Sequence, residues 1–235
     1  MIEIKNVTKR YGEKEALSNV DFTINDGEIF AFIGRNGAGK TTLIKAITGI
    51  HEFDEGDILI NGKSIKKEPV ACKKEMAYVP DNPELYENMR AIDFVNFVCD
   101  MYEVPQDVRE KNIKKYAEKF DLANNMNDTI DSFSHGMKQK VALIAAFAHE
   151  PKFLVMDEPF VGLDPKAVAD VKEAMHDLVK DGGIVFFSTH ILEVAEKLCS
   201  KVAIIKKGKL MKVGDMKEVK GDKSLEKVFL ELVEK

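Results

Sequence analysis

Apolar and polar positions alternate along the first part of the chain. Ile2, Ile4 and Val7, then Val20, Phe22 and Ile24, recur at strand spacing and predict short strands within residues 2–33, with Asn25-Asp26-Gly27 as a turn. The run Ile29-Phe30-Ala31-Phe32-Ile33, entered from Glu28, predicts a buried strand. A further strand is predicted from Asp57, ending in the Asn61-Gly62 turn before Lys63, and Met76-Ala77-Tyr78-Val79 reads as a short buried strand stopped by Pro80. From Pro83 to His149 the texture becomes helical. Phe94, Phe97, Val98, Met101 and Tyr102 recur at helical spacing, as do Ile113, Tyr116, Ala117 and Phe120. Strand texture returns in Phe153-Leu154-Val155-Met156 and Ile184-Val185-Phe186-Phe187, continuous apolar runs suited to central parallel strands. Val202 to Ile205 with Lys207-Gly208 predicts an edge hairpin, and Leu225, Val228, Phe229, Leu232 and Val233 share one face of a final helix. The expected fold is α/β, with a mostly parallel sheet, an antiparallel β subdomain and an inserted helical subdomain. The expected division is residues 1–82 and 150–215 for the core with its β subdomain, 83–149 for the helical subdomain and 216–235 for a C-terminal helix.

Composition narrows the classes. The chain has 235 residues and is 45% hydrophobic, enough for one large domain with a sizeable core. Its net charge of −5 argues against a nucleic-acid partner, whose phosphates would call for a basic face. The three cysteines, Cys72, Cys99 and Cys199, form no CxxC pair and read as reduced thiols. The five histidines show no HExxH spacing. No apolar run approaches the roughly 18–20 residues that span a bilayer, and the first residues lack a signal-peptide pattern. The interrupted basic run Lys66, Lys67, Lys73 and Lys74 reads as a solvated surface loop.

Between the strand ending at Ile33 and a helical pattern through Ile47 stands Gly34-Arg35-Asn36-Gly37-Ala38-Gly39-Lys40-Thr41-Thr42. It fits the phosphate-loop pattern G-x-x-x-x-G-K-[ST] in its required strand–loop–helix context. Gly34, Gly37 and Gly39 are expected to let the backbone bend, so that successive N–H groups, including those of Asn36 and Ala38, line a phosphate-sized hollow. The helix start at Thr41 and Thr42 adds its positive dipole end. Lys40 offers a point charge to the β- and γ-phosphates, and the Thr41 hydroxyl can hold Mg²⁺. The loop predicts a P-loop NTPase core.

Four more elements follow. Phe153 to Met156 run into Asp157-Glu158-Pro159, an apolar strand ending in two carboxylates, the Walker B pattern. There Asp157 can bind Mg²⁺ and Glu158 can polarise an attacking water. Ser132-Phe133-Ser134-His135-Gly136-Met137-Lys138-Gln139-Lys140 precedes an apolar helix. Gly162-Leu163-Asp164-Pro165 follows the carboxylates, with Asp164 also placed to cap a helix before Pro165. Ser188-Thr189-His190 ends the next strand.

In this order the motifs resemble those of the ATP-binding subunits of ABC transporters, over about Ile2 to Gly214. The resemblance implies the RecA-like form of the P-loop NTPase core, and ATP and Mg²⁺ as ligands, with Glu158 and His190 catalytic and with Thr41, Asp157 and Asp81 toward the metal. It implies that Tyr11 stacks on adenine. It also implies that Ser134 and Gly136 face the γ-phosphate held by a second subunit, and that Asp164 lies between the two sites. The implied assembly is a homodimer or heterodimer of ATPase subunits on a separate transmembrane permease, peripheral at the cytoplasmic face of the cell membrane. Two departures stand out. The family's signature is usually Leu-Ser-Gly-Gly-Gln, and here it is Phe133-Ser134-His135-Gly136-Met137. Where the family usually has Gln after the Tyr78-Val79 strand, this chain has Asp81, an arm shorter by one methylene that adds negative charge near the phosphates. The Ser-His-Gly-Met-Lys-Gln-Lys signature and the Pro80-Asp81 pair look like bacterial exporters, so the expected role is ATP hydrolysis powering export. The alternative is a soluble ABC ATPase of an assembly system, such as that for iron–sulfur clusters. Repair and chromosome ATPases of the family are set aside, because the stretch between Lys40 and Ser134 is short and carries no sustained heptads.

Overall fold

A computed structural model describes residues 1–233; Glu234 and Lys235, included in the expected C-terminal helix, lie outside the described residues. In chain order the elements are β1 (Ile2–Tyr11), β2 (Lys14–Ile24), β3 (Ile29–Ile33), α1 (Lys40–Ile47), β4 (Glu55–Ile60) and β5 (Lys63–Ser64). Next come α2 (Pro69–Lys73), β6 (Met76–Val79), α3 (Ala91–Met101), α4 (Gln106–Lys119), α5 (His135–Ala148), β7 (Phe153–Asp157) and α6 (Pro165–Lys180). The last are β8 (Ile184–Thr189), α7 (Leu192–Leu198), β9 (Lys201–Lys206), β10 (Lys209–Asp215), α8 (Met216–Lys220) and α9 (Leu225–Val233).

They build two sheets. One is antiparallel, in the order β2-β1-β4-β5, and the other runs β10-β9-β3-β8-β7-β6. In the second sheet β6, β7, β8, β3 and β9 are parallel and only the edge strand β10 is antiparallel. Every residue of β3, β7 and β8 is buried, as central parallel strands require. Side chains of β3 alternate between two cores. Phe30 and Phe32 enter the layer between the sheets, where Phe22 stacks on Phe30 with centroids 5.1 Å apart, and Phe186 lies 5.7 Å from Phe32. Ile29, Ala31 and Ile33 enter the opposite core, shared with α3, α5, α6 and α9.

The structure departs from the sequence reading in three places. The first two strands are long, 10 and 11 residues, because bulges let the ladder continue: Asn6 and Asn19 hold φ values of 50° and 49°, and asparagine tolerates that region. On α3 the inner face is made of the small residues Ala91, Val95 and Cys99, whereas Phe97 and Met101 are 40% and 66% exposed. The close packing of α3 on α5 leaves its bulky residues at the rim. The segment from Met216 makes two helices, because Gly221 at φ 55°, ψ −132° ends α8.

One contact ties the helices to the sheet. His149, which ends α5, lies flat on Tyr102, with ring centroids 3.7 Å apart, and Tyr102 Oη donates to the Met76 carbonyl at 3.0 Å. Burial pushes the His149 imidazole down to about 4. In the unfolded chain it titrates near its ordinary value of about 6.5. The stability carried by the neutral ring is therefore full above about pH 6.5 and is lost as pH falls toward 4. His149→Phe keeps the stack and cannot charge. It is expected to remove on the order of 2 kcal/mol of the acid destabilisation between pH 7 and 4, read from urea unfolding midpoints.

Candidate active site

The carboxyl ends of β3, β6, β7 and β8 open on one edge of the parallel sheet, where open α/β sheets bind ligands. β3 delivers the phosphate loop. Gly37 (φ 76°) and Gly39 (φ 114°) turn the chain through the left-handed region, and Gly39 caps α1. Gly34 has a different reason to be glycine. A Cβ there would stand 2.8 Å from Ile205, so it allows close packing and does not supply the bend. Ala38 is buried, and its carbonyl accepts the Gly208 N–H at 2.8 Å, which pins the loop to the β9–β10 turn.

Behind the loop lies a cavity of about 760 Å³. Among the residues expected at the site, Tyr11, Asn36, Gly37, Gly39, Lys40, Thr41, Thr42, Asp81, Asp157 and Glu158 line it. Lys40 is 7% exposed; its ammonium donates to the Gly34 carbonyl at 2.9 Å and stands 3.4 Å from a Glu158 carboxylate oxygen. The other Glu158 oxygen is 2.9 Å from His190 Nδ1 and accepts the His190 backbone N–H at 3.2 Å. Glu158 thus bridges the lysine and the histidine. Its backbone φ of 48° turns the side chain out of the strand direction just after β7 ends. Asp157 is buried and accepts from the Thr41 hydroxyl at 2.7 Å and from the Ser188 hydroxyl.

Thr41 and Asp157 bring a hydroxyl and a carboxylate together, a hard-oxygen pair suited to Mg²⁺. No group of three or more His, Cys, Asp or Glu side chains placed to hold a metal occurs among the described residues. Asp81 adds a third carboxylate. Burial first, then Asp157 and Glu158, push its carboxyl above the usual range, a repulsion that a cation would relieve.

Tyr11 ends β1 with its ring 46% exposed at the cavity wall, and its hydroxyl hydrogen-bonds His51 Nδ1 at 3.0 Å. Ser134, Gly136 and Asp164 do not line the cavity of their own chain. Ser134 caps α5, its hydroxyl accepting from Met137 N–H at 3.3 Å. Asp164 caps α6, accepting from Ala167 N–H at 2.9 Å, and stands 3.4 Å from Lys140; the Ala167 bond and then Lys140 hold its carboxyl below the usual range. The two loops touch each other: a Cβ on Gly136 would lie 2.7 Å from the Gly162 carbonyl, and one on Gly162 would meet His135. Sequence reasoning missed Lys14, Glu15, Ala16, Lys207 and Gly208 as cavity walls. Only the Lys207-Gly208 turn had a local signal, and nothing local tells which cavity a turn will border.

The family model described as "ABC transporter" matches residues 17–161. The chain is 33% identical to the ABC-type transporter ATP-binding protein EcsA of Bacillus subtilis, over 99% of this chain and 96% of that protein. It is 34% identical to the methionine import ATP-binding protein MetN of Clostridioides difficile (93% and 70% covered), and 32% identical to the lantibiotic transport ATP-binding protein SrtF of Streptococcus pyogenes (97% and 96%). Among solved structures, an ATP-binding subunit of an ABC transporter superposes with a TM-score of 0.95 at 33% identity, covering 99% of each chain. A dimeric ATP-binding cassette, MJ0796 bound to ADP and phosphate, gives 0.84 at 25% identity, covering 92% of this chain and 99% of that one. The chain therefore belongs to the ABC transporter family, as one of its ATP-binding, ATP-hydrolysing proteins.

Proposed function

We propose that this chain hydrolyses ATP between two ATPase subunits and drives export through a separate transmembrane permease, peripheral at the cytoplasmic face of the membrane. The observation that carries the two-subunit reading is the split site. Ser134 and Gly136 stand at the N-terminus of α5, outside their own chain's cavity, free to offer a hydroxyl and N–H groups to a nucleotide elsewhere. In this reading Lys40 and the loop from Gly34 to Thr42 hold the phosphates, and Tyr11 stacks on the base. Glu158 orients the attacking water, His190 contacts the γ-phosphate, and Asp164 lies between the two sites. Thr41 and Asp157 would hold Mg²⁺, which bridges phosphate oxygens and neutralises charge as it develops.

Docking to the membrane partner is supported by an exposed aromatic patch. Tyr86 is 60% exposed and meets Phe97 edge-on at 5.7 Å, with Phe94 behind it. The patch borders a groove of about 190 Å³ that includes Pro80, Pro83, Leu85 and Phe94. Among the described residues no helix is long and apolar enough to cross a membrane. In this reading the spanning part belongs to the permease. Residues 83–149 would move as a lobe against residues 1–82 and 150–215, passing the change to the partner. Export rests on the Ser134-to-Lys140 signature, since the names of the relatives include both import and lantibiotic transport. Copurification with a multi-span membrane protein tests the transport reading. Recovery with soluble assembly factors alone would favour the assembly-ATPase alternative.

Asp81 tests the coupling. Its short arm, and its place in the nucleotide cavity next to Pro80 at the groove, support coupling as its main role, with metal contact secondary or through water. Asp81→Ala is expected to slow the isolated subunit by less than about tenfold, roughly 1.4 kcal/mol in barrier, and to abolish stimulation by the partner. A Mg²⁺ titration decides: a strongly raised Mg²⁺ requirement would overturn the coupling role.

A further inference from the structure

Ser188 is fully buried, yet its hydroxyl is shared between the two carboxylate residues of the site. Parallel pairing of β7 and β8 sets Asp157 directly beside Ser188. The Ser188 hydroxyl has one proton, and it goes to one oxygen of Asp157. The other Asp157 oxygen accepts from Thr41. With its proton spent, Ser188 Oγ presents lone pairs, and it accepts the Glu158 backbone N–H at 3.2 Å. The Ser188 carbonyl takes the same N–H, also at 3.2 Å. That N–H belongs to a non-glycine residue at φ 48°, a conformation that persists only where its surroundings hold it. From there the Glu158 carboxylate reaches Lys40 and His190.

We propose that Ser188 is a positioning residue for Glu158. Its hydroxyl locks the left-handed turn that aims the carboxylate, and through Asp157 ties that aim to Thr41. The inference rests on the proposed role of Glu158 in orienting water. An apolar side chain would suit a strand buried on both faces, so the hydroxyl is retained for its two partners and not for burial.

Thr and Val have the same shape and differ in the hydroxyl, so they form the decisive pair. Ser188→Thr is expected to keep kcat within about threefold, whereas Ser188→Val and Ser188→Ala lower kcat about tenfold or more with KM for ATP little changed. Thermal melts of the Thr and Val variants report any shared packing cost, and the comparison between them survives if the Ala variant folds poorly. In a Glu158→Gln background Ser188→Val should add no further loss, because the two act on one step. Equal kcat for the Thr and Val variants overturns the proposal, as does a full additional loss in the Gln background. If Glu158→Gln itself keeps turnover, the role of Glu158 fails. If Glu158→Gln is inactive and Ser188→Val is not, the inference about Ser188 alone fails.

Discussion

Glu158→Gln is expected to lower ATP turnover by at least about a hundredfold while leaving ATP bound, the scale on which positioned acid–base groups contribute. The amide keeps the shape of the carboxylate: its oxygen can still accept from the Lys40 ammonium and its NH2 can donate to His190 Nδ1, while the bond from the His190 backbone N–H is given up. What it loses is the charge that, in the proposed role, orients and polarises water. It also removes one of the carboxylates that push the Asp81 carboxyl upward, which makes the site more hospitable to the phosphates. Bound and unhydrolysed, ATP should then hold two subunits together. Size-exclusion chromatography with ATP and Mg²⁺ should show a dimer that wild type shows only in passing. Turnover within a few-fold of wild type would end the assignment.

Lys40→Ala is expected to reduce ATP affinity on the order of a hundredfold, measured by calorimetry. A charge-assisted hydrogen bond is worth about 1.5–3 kcal/mol, and this ammonium is expected to serve two phosphates. Lys40 also fastens the loop through the Gly34 carbonyl and neutralises Glu158, whose side chain is only 12% exposed. Truncation leaves that carboxylate without its cation inside the fold, so the variant should also melt earlier than wild type. Unchanged affinity in a folded variant would reject the role.

Much of this was legible in the sequence because it is local. The phosphate loop, the Asp157-Glu158 strand end and the apolar runs of β3, β7 and β8 each carry their own pattern. The helix cap at Asp164 was readable from residue type and its place before Pro165. What was not legible depends on neighbours distant in the chain. The outward face of α3 depends on α5 taking its small residues as the packing side. The role of Gly34 depends on Ile205, and that of Ser188 on lying in register with Asp157. The turn at Glu158 is invisible in composition, since glutamate has no preference for φ 48°.

The contact between Gly136 and Gly162 has a consequence for timing. At Gly136 the neighbour is the Gly162 carbonyl, backbone against backbone; at Gly162 it is the His135 ring. A displacement of the loop that leaves Glu158 would therefore be felt at the start of α5. In the proposed two-subunit arrangement that helix start would be the part lent to the other nucleotide. Each subunit would then advertise the progress of its own hydrolysis on the surface its neighbour reads, and the pair would fire as coupled cylinders, with turnover rising more steeply with ATP than independent sites allow.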